Sequence, residues 1–295
     1  MINIKRYITN RLNDIASFFT RIYVQNKKLS IGINNSEDRN QRIIASLTSY
    51  PARIDILSVT IKSILLQSMK ADKVILWLGS DSQNVELPES IVELKKYGLE
   101  IRFVEDNIMP HKKYFYAMQE FPSDIIITFD DDVIYSPFTI SSLVKTHRAF
   151  PKSVCARRAH RIILEDGDMI PYSKWEFNCT SVTKPSHLLF ATGIGGVLYP
   201  PKSLYKDALD ISRVKNECLR ADDVWLKIME TLADTKVVWA KCLLIVPPDV
   251  KKNQTIGLAQ GNVNRNQNDI YMTNLEEKYH YKRIIMESCI ESKKK

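Results

Sequence analysis

The residues of this chain best equipped for chemistry are Asp130-Asp131-Asp132, which close the apolar stretch Ile125-Ile126-Ile127-Thr128-Phe129. A short β-branched, apolar run reads as a buried strand. Open α/β sheets collect their ligands at the carboxyl ends of such strands. Three adjacent carboxylates repel one another unless something positive joins them. A hard divalent cation, held through carboxylate oxygens and bridging two phosphates, meets that need. The triplet therefore points to a metal-assisted enzyme acting on a nucleotide diphosphate. A solvated turn or a helix N-cap would draw on the same residue types.

A second acidic pair, Asp222-Asp223, opens a helical pattern that runs to Leu232. Acidic residues at a helix start complement its dipole. The pair also suits a general base, because adjacent carboxylates push one pKa upward. Gly193, Gly195 and Gly196 allow a close backbone approach to a ligand, or simply a turn into a strand. Lys112 and Lys113 either face a diphosphate or solvate a helix face. His111, His160 and His187 are candidate polar contacts, although structural roles are commoner. Arg157, Arg158 and Arg161 with His160 form a basic cluster that fits a diphosphate, an anionic acceptor or a solvated edge. Trp225 is a sugar-stacking or a core residue. Asn262, Asn264, Asn266, Asn268 and Asp269 form a lid over a donor or a plain polar loop.

Positioning these groups requires a regular scaffold, and the sequence alternates accordingly. Strands are expected at 42–47, 73–78, 99–104 and 124–129, and helices at 57–68, 88–97 and 111–120. Each strand ends in polar or acidic residues: Thr48 and Ser49, Asp81, Asp106, Asp130. Such alternation implies a mostly parallel central sheet flanked by helices, with right-handed crossovers. Further on, the pattern predicts a helix over 139–150, a strand over 153–161, a strand after the glycines, one or two strands within 236–246 and a closing helix over 275–289. Residues 3–24 form a basic amphipathic helix, of the kind that lies on an anionic bilayer or packs on a core or partner. The organisation expected is a basic helix and linker (1–41), two halves of one domain (42–137 and 138–272) and a C-terminal helix (273–295).

The formal net charge of +8 fits nucleic acid, an anionic membrane surface or an anionic substrate. No nucleic-acid module signature occurs, so nucleic acid is not expected as a partner. The excess gathers at the ends, in Lys5, Arg6, Arg11, Arg21, Lys27 and Lys28 and in Lys293 to Lys295. The five cysteines form no CxxC pair, which argues against zinc and disulfide frameworks and fits a reducing cytosol. No run is long and apolar enough to span a bilayer, and no secretory signal is recognisable. A cytoplasmic protein, peripheral on the inner face of the membrane, is expected.

The sequence resembles the GT-A glycosyltransferases, most closely the family 2-like bacterial enzymes of capsule, O-antigen and lipooligosaccharide assembly. The residues that carry the resemblance are Ile44 to Arg53, Asp81, Asp106, Asp130-Asp131-Asp132, Gly195-Gly196 and Ala221 to Leu226, over roughly residues 42–246. It implies a Rossmann-like fold, with 42–137 as the nucleotide-sugar-binding half and 138–272 as the acceptor-binding half of the same domain, and transfer from a nucleotide-sugar, a UDP-sugar, with Mn²⁺ or Mg²⁺. The acceptor implied is a saccharide or lipid-linked saccharide in surface polysaccharide assembly. Thr48, Ser49, Tyr50, Pro51 and Arg53 would contact base and ribose, Asp81 and Asp106 would read the uracil and ribose edges, and Lys112 or Lys113 would face the diphosphate. Asp130-x-Asp132 stands as the DXD motif. Asp132 would ligate the metal, Asp130 would contact ribose or sugar or join as a ligand, and Asp131 is a variable position able to share that duty. Gly195 and Gly196 would line the donor sugar. Asp223 matches the Asp of the family's Glu-Asp pair and Asp222 replaces its Glu, so Asp223 is the expected base of an inverting transfer. Two competing functions are a sugar nucleotidyltransferase, which would carry a glycine-rich loop after the first strand where this chain has Thr-Ser-Tyr-Pro-Ala-Arg, and a non-catalytic sugar- or nucleotide-binding protein.

Overall fold

The computed structural model describes residues 4–35, 38–241, 250 and 266–293. The alternating half folds as β1 (Ile43–Thr48), α2 (Ile54–Leu65), β2 (Lys73–Leu78), α3 (Glu89–Val92), β3 (Leu99–Phe103), α4 (Lys112–Glu120) and β4 (Ile125–Phe129), preceded by α1 (Ile4–Asn26). There follow α5 (Thr139–Ala149), the short strands β5 (Val154–Ala156), β6 (Ala159–Arg161), β7 (Leu164–Glu165), β8 (Asp168–Met169), β9 (Leu189–Ala191) and β10 (Val197–Tyr199), then α6 (Ile211–Glu217), α7 (Asp222–Leu232) and β11 (Val237–Trp239). Two further helices, α8 (Gln267–Tyr279) and α9 (Tyr281–Lys293), close the described chain.

The described residues build a seven-stranded sheet in the order β11-β5-β10-β4-β1-β2-β3. Strands β1 to β4 are mutually parallel, as continuous apolar runs separated by helices require. Only β10 runs against its neighbours β4 and β5. Successive residues of β1 bury opposite faces: Ala45 and Leu47 pack under α2, while Ile44 joins Ile75, Trp77 and Ala117 on the α4 side. Both faces are thereby covered, and the four parallel carboxyl ends share one edge.

Several boundaries differ from expectation. The stretch 153–161 is two strands in two sheets, because β5 joins the main sheet while β6 leaves it to pair with β9. The expected helix at 88–97 keeps one α-helical turn and tightens to 3₁₀ over Glu93–Tyr97, ending at Gly98, whose φ of 105° suits glycine. The closing helix is two helices, broken where His280 turns left-handed at φ 49°. Two residues of the expected linker are held to the body: Arg39 pairs with Asp72 at 3.1 Å, and Asn34 donates to the same carboxylate at 2.6 Å. Asn268 and Asp269 lie in the first turn of α8, and Asp269 accepts from the backbone of Tyr172 at 2.8 Å. Asn262 and Asn264, and the second strand expected within 236–246, lie outside the described residues.

Candidate functional site

β1 and β4 are adjacent and parallel, with Leu47 beside Phe129, so the turns that follow them must meet. Ser49 donates to Asp131 Oδ2 at 2.6 Å, and Arg53, from the 3₁₀ turn Pro51–Arg53, reaches Asp131 at 2.6 Å and Asp132 at 3.0 Å. Burial opposes the charge of Arg53, but Asp131 and Asp132 outweigh it and hold the guanidinium firmly protonated. Tyr50 lies under that guanidinium, 5.4 Å from ring centroid to Cζ. Thr48 turns its hydroxyl to the carbonyl of Trp77 at 2.8 Å, tying β1 to β2. Tyr135 caps the triplet from below, its hydroxyl accepting from the Asp130 amide at 2.7 Å.

Asp130 faces the other way. Lys113, buried at the start of α4, donates to Asp130 at 2.7 Å and lies 2.8 Å from Asp222 at the start of α7. Burial would lower the pKa of Lys113, yet the charges of Asp130, Asp222 and Asp223 hold it well above the usual lysine range. The same pairing reverses the effect of burial on Asp222 and holds its carboxyl below the usual range. Asp223 has no such partner. Burial, reinforced by Asp222 and Asp130, pushes its pKa up to about 8 despite the pull of Lys113. Its oxygens accept from the Gly193 amide at 3.1 and 3.3 Å.

Gly193 sits here because β10 pairs antiparallel with β4, so the 3₁₀ turn Gly193–Gly195 that precedes it lands at the carboxyl end of β4. A Cβ at Gly193 would lie 2.8 Å from Asp130 Oδ1 and 3.1 Å from Lys113 Nζ. Gly195 is as close-packed, against the backbone of Arg158, and Gly196 adopts φ 87° on entering β10. Lys113, Asp130, Gly193, Asp222 and Asp223 thus converge from four separate elements.

Two other site candidates lie at the ends of β2 and β3. Asn107 donates to Asp81 at 2.9 Å and accepts from Lys112 at 2.6 Å. Burial lowers the pKa of Lys112, with Asp81 and Asp131 opposing. Asp106 turns outward to an ion pair with Lys215 of α6, and its carbonyl accepts from Tyr116 at 3.1 Å. The basic cluster does not form one patch. Arg157 reaches α5, donating to Ser142 at 2.5 Å; Arg158 turns toward Asn178; Arg161 lies near Glu176 at 3.7 Å; and buried His160 accepts from the Asn178 amide at 3.1 Å. Trp225 is core, as are His111, bonded to Cys218 and Tyr114, and His187, bonded to Asp234. Sequence reasoning missed Asn107 and Tyr135. Their only signal was proximity to Asp106 and to the triplet.

No group of three or more His, Cys, Asp or Glu side chains set to hold a metal occurs among the described residues. A magnesium-like ion on a diphosphate needs only one or two carboxylates, the phosphates and water supplying the rest. Asp130 and Asp132, with side chains 27% and 24% exposed, supply hard oxygen donors of that kind. The arrangement as a whole offers anchored carboxylates, a buried cation, and one carboxyl group poised to exchange a proton near neutrality.

No protein-family model and no curated protein sequence matches this chain. Among solved structures, it is similar to a mannosyltransferase from Pyrobaculum calidifontis in complex with GDP-Man and Mn²⁺: TM-score 0.52, 12% identity, covering 96% of this chain and 79% of that one. A 4-diphosphocytidyl-2C-methyl-D-erythritol synthase from Anaerococcus prevotii aligns at TM-score 0.43 and 16% identity, over 80% of this chain and 96% of that one. A CMP:2-keto-3-deoxy-manno-octonic acid synthetase complexed with CTP aligns at TM-score 0.41 and 12% identity, over 68% and 89%. The last two scores carry no functional weight. The first, at its low identity, concerns architecture alone: the chain has a GT-A-like α/β fold.

Proposed function

We propose that this chain is a glycosyltransferase that moves a sugar from a nucleotide-sugar, a UDP-sugar by preference, to a saccharide acceptor with inversion. The observation that carries the reading is Asp223, lifted to about 8 beside the ion-paired set Asp130, Lys113 and Asp222. In the transfer, an acceptor hydroxyl oxygen bonds to the anomeric carbon, the carbon–oxygen bond to the diphosphate breaks, and the nucleoside diphosphate leaves with that electron pair. Asp223 takes the hydroxyl proton, and a pKa near the working pH suits a base. Lys113 holds Asp130 and Asp222 in place and favours the ionised form of Asp222, while Asp223 lies beside them without a direct ion pair. Asp132 and Asp130 would hold Mn²⁺ or Mg²⁺ with the donor; that ion's contribution is to offset charge on the leaving diphosphate.

Against a nucleotidyltransferase stands the loop after β1. It has no glycine, folds as a 3₁₀ turn, and commits its guanidinium to Asp131 and Asp132. A non-catalytic binding protein is separated by experiment. Nucleotide release is measured from UDP-, GDP- and CMP-sugars with Mn²⁺ and with a chelator. Metal-dependent release from a UDP-sugar, lost in Asp132→Ala, supports the reading. Nucleotide binding without release or transfer under any condition defeats it.

The N-terminal helix supports a lipid-linked acceptor. α1 turns Thr20 and Val24 toward the body and its bulky apolar side chains away from it: Leu12, Ile15, Ile22, and above all Phe18 and Phe19, 60% and 64% exposed. Arg11, Lys27 and Lys28 accompany this face. No described helix is long and apolar enough to cross a membrane, so the geometry suits lying on an anionic surface. Sedimentation with phosphatidylglycerol but not phosphatidylcholine vesicles, abolished by Phe18→Ser with Phe19→Ser, is the expected outcome.

A further inference from the structure

Arg158 differs from the two ion-paired cations of this cleft. Arg53 is matched by Asp131 and Asp132, and Lys113 by Asp130 and Asp222. Arg158 makes no ion pair with any described residue. Its Nε donates to Asn178 Oδ1 at 2.7 Å, and its carbonyl accepts from the Thr192 amide at 3.2 Å and the Thr192 hydroxyl at 3.3 Å. Its backbone is packed so closely on Gly195 that a Cβ there would sit 2.9 Å from the Arg158 nitrogen. The side chain is therefore anchored at its base and at Nε, while the two terminal nitrogens make no hydrogen bond to a described residue and are not sealed from solvent. Burial lowers the pKa of Arg158, and of the carboxylates nearby Asp223 acts on it more strongly than Asp130. A cation kept at such cost, with its fork unused, is arranged for an anion from outside the chain.

The surroundings indicate which anion. Asn178 adopts φ 54°, with its amide bonded to His160. The preceding Phe177 packs edge-on against His160 at 4.5 Å and Tyr172 at 5.5 Å, yet leaves 40% of its surface open. An anchored guanidinium fork from the bend between β5 and β6 and a half-open aromatic ring from the segment after Trp175 thus meet through the Arg158–Asn178 bond, on the Asp223 side of the cleft. The base must touch the acceptor hydroxyl, so a ligand beside Asp223 is the acceptor. The donor diphosphate falls to the triplet, across Asp130.

We propose that Arg158, with Phe177 and Asn178, forms an acceptor subsite for a saccharide bearing an oxyanion, either the carboxylate of an acidic sugar or a sugar phosphate. The guanidinium would grip the oxyanion through its two terminal nitrogens, and Phe177 would take the apolar face of the ring. The proposal rests on the glycosyltransferase reading, and its test separates the two. Methyl glucuronide, glucose 1-phosphate and neutral methyl glucoside are titrated into the full chain, wild type, Arg158→Gln and Arg158→Lys, by calorimetry or NMR. UDP and GDP with Mn²⁺ are titrated separately, and circular dichroism checks each fold.

The expected result is that one anionic probe binds wild type at least tenfold tighter than the neutral glucoside. That preference disappears in Arg158→Gln and weakens severalfold in Arg158→Lys, which keeps the charge and loses the fork. Nucleotide affinity stays within twofold throughout. The probe that responds tells carboxylate from phosphate. Anionic probes indifferent to Arg158, or a tenfold loss of nucleotide affinity in Arg158→Gln, would overturn the acceptor assignment, the second moving Arg158 to the donor. Absence of nucleotide binding by the wild type overturns the functional reading instead and leaves the anion result legible.

Discussion

Replacing Asp223 by Asn should stabilise the fold progressively as pH rises, while removing transfer. The native carboxyl has its pKa pushed up to about 8 by burial and by Asp222 and Asp130. An unfolded aspartate titrates near 3.9. Between these values the native state holds the extra proton, so stability falls as pH rises, by about 1.4 kcal/mol per unit for one group. From pH 5 to pH 8 the ceiling is about 4 kcal/mol. Asp223 is only half-buried at the cleft, so screening by water reduces this to about 1–2 kcal/mol. The amide of Asn still accepts from Gly193 and carries no charge, so the variant should lack this slope. Urea unfolding of both proteins at pH 5 to 8.5, in a chelator, reads the difference directly. With metal and donor restored, the variant should keep nucleotide affinity and lose transfer by about 10²–10⁴-fold. Wild-type kcat/KM should climb with pH up to about 8 and then level, since the base works deprotonated. A stability difference independent of pH, or a variant that transfers normally, would refute the reasoning.

Removing Lys113 should be costly, because it leaves Asp130 and Asp222 uncompensated. Lys113→Met is expected to lose about 3–5 kcal/mol in urea unfolding at pH 7.5, with partial recovery in Lys113→Met/Asp222→Asn; a loss under about 1 kcal/mol would dissolve the shared ion pair. Gly193→Ala should fold but disturb Asp130 and Lys113, since its Cβ would meet them at 2.8 and 3.1 Å. Calorimetry should show donor affinity reduced at least tenfold, and unchanged affinity would remove Gly193 from the site. Burial lowers His111 to about 4, His160 to about 3 and His187 to about 4. Unfolded histidines protonate near 6.5, so these groups favour the fold above that pH and withdraw support as pH falls toward 4. The urea midpoint should drop across that window, and a flat profile would mean the three side chains are solvated.

Much of this architecture was legible locally. The β–α alternation through Phe129 is written in apolar runs of strand length, and the acidic triplet marks the end of the fourth. The helix Asp222–Leu232 and the strand Lys73–Leu78 fall where the pattern placed them. Backbone propensity and hydrophobic period act over a few residues, so sequence reports them. The split at 157–158 was not legible, because the choice between two sheets depends on β9 and β10, which come later in the chain.

Pairing at the site was decided by tertiary structure. Nothing local distinguishes Lys112 from Lys113, yet one bonds Asn107 and the other reaches Asp130 and Asp222, because one residue of helix rotation points them to different strand ends. The same holds for Arg157 and Arg158, which the bend between β5 and β6 sends to Ser142 of α5 and to Asn178. Burial lifts Asp223, and Asp222 escapes the same effect because Lys113 arrives beside it. The sequence determined that the acidic groups exist and which sheet edge they occupy. The reversed strand β10 and the packing of α4 against α7 determined which group keeps a proton. Coulomb energies depend on distances of a few ångströms between residues remote in the chain, and only the assembled fold sets those distances.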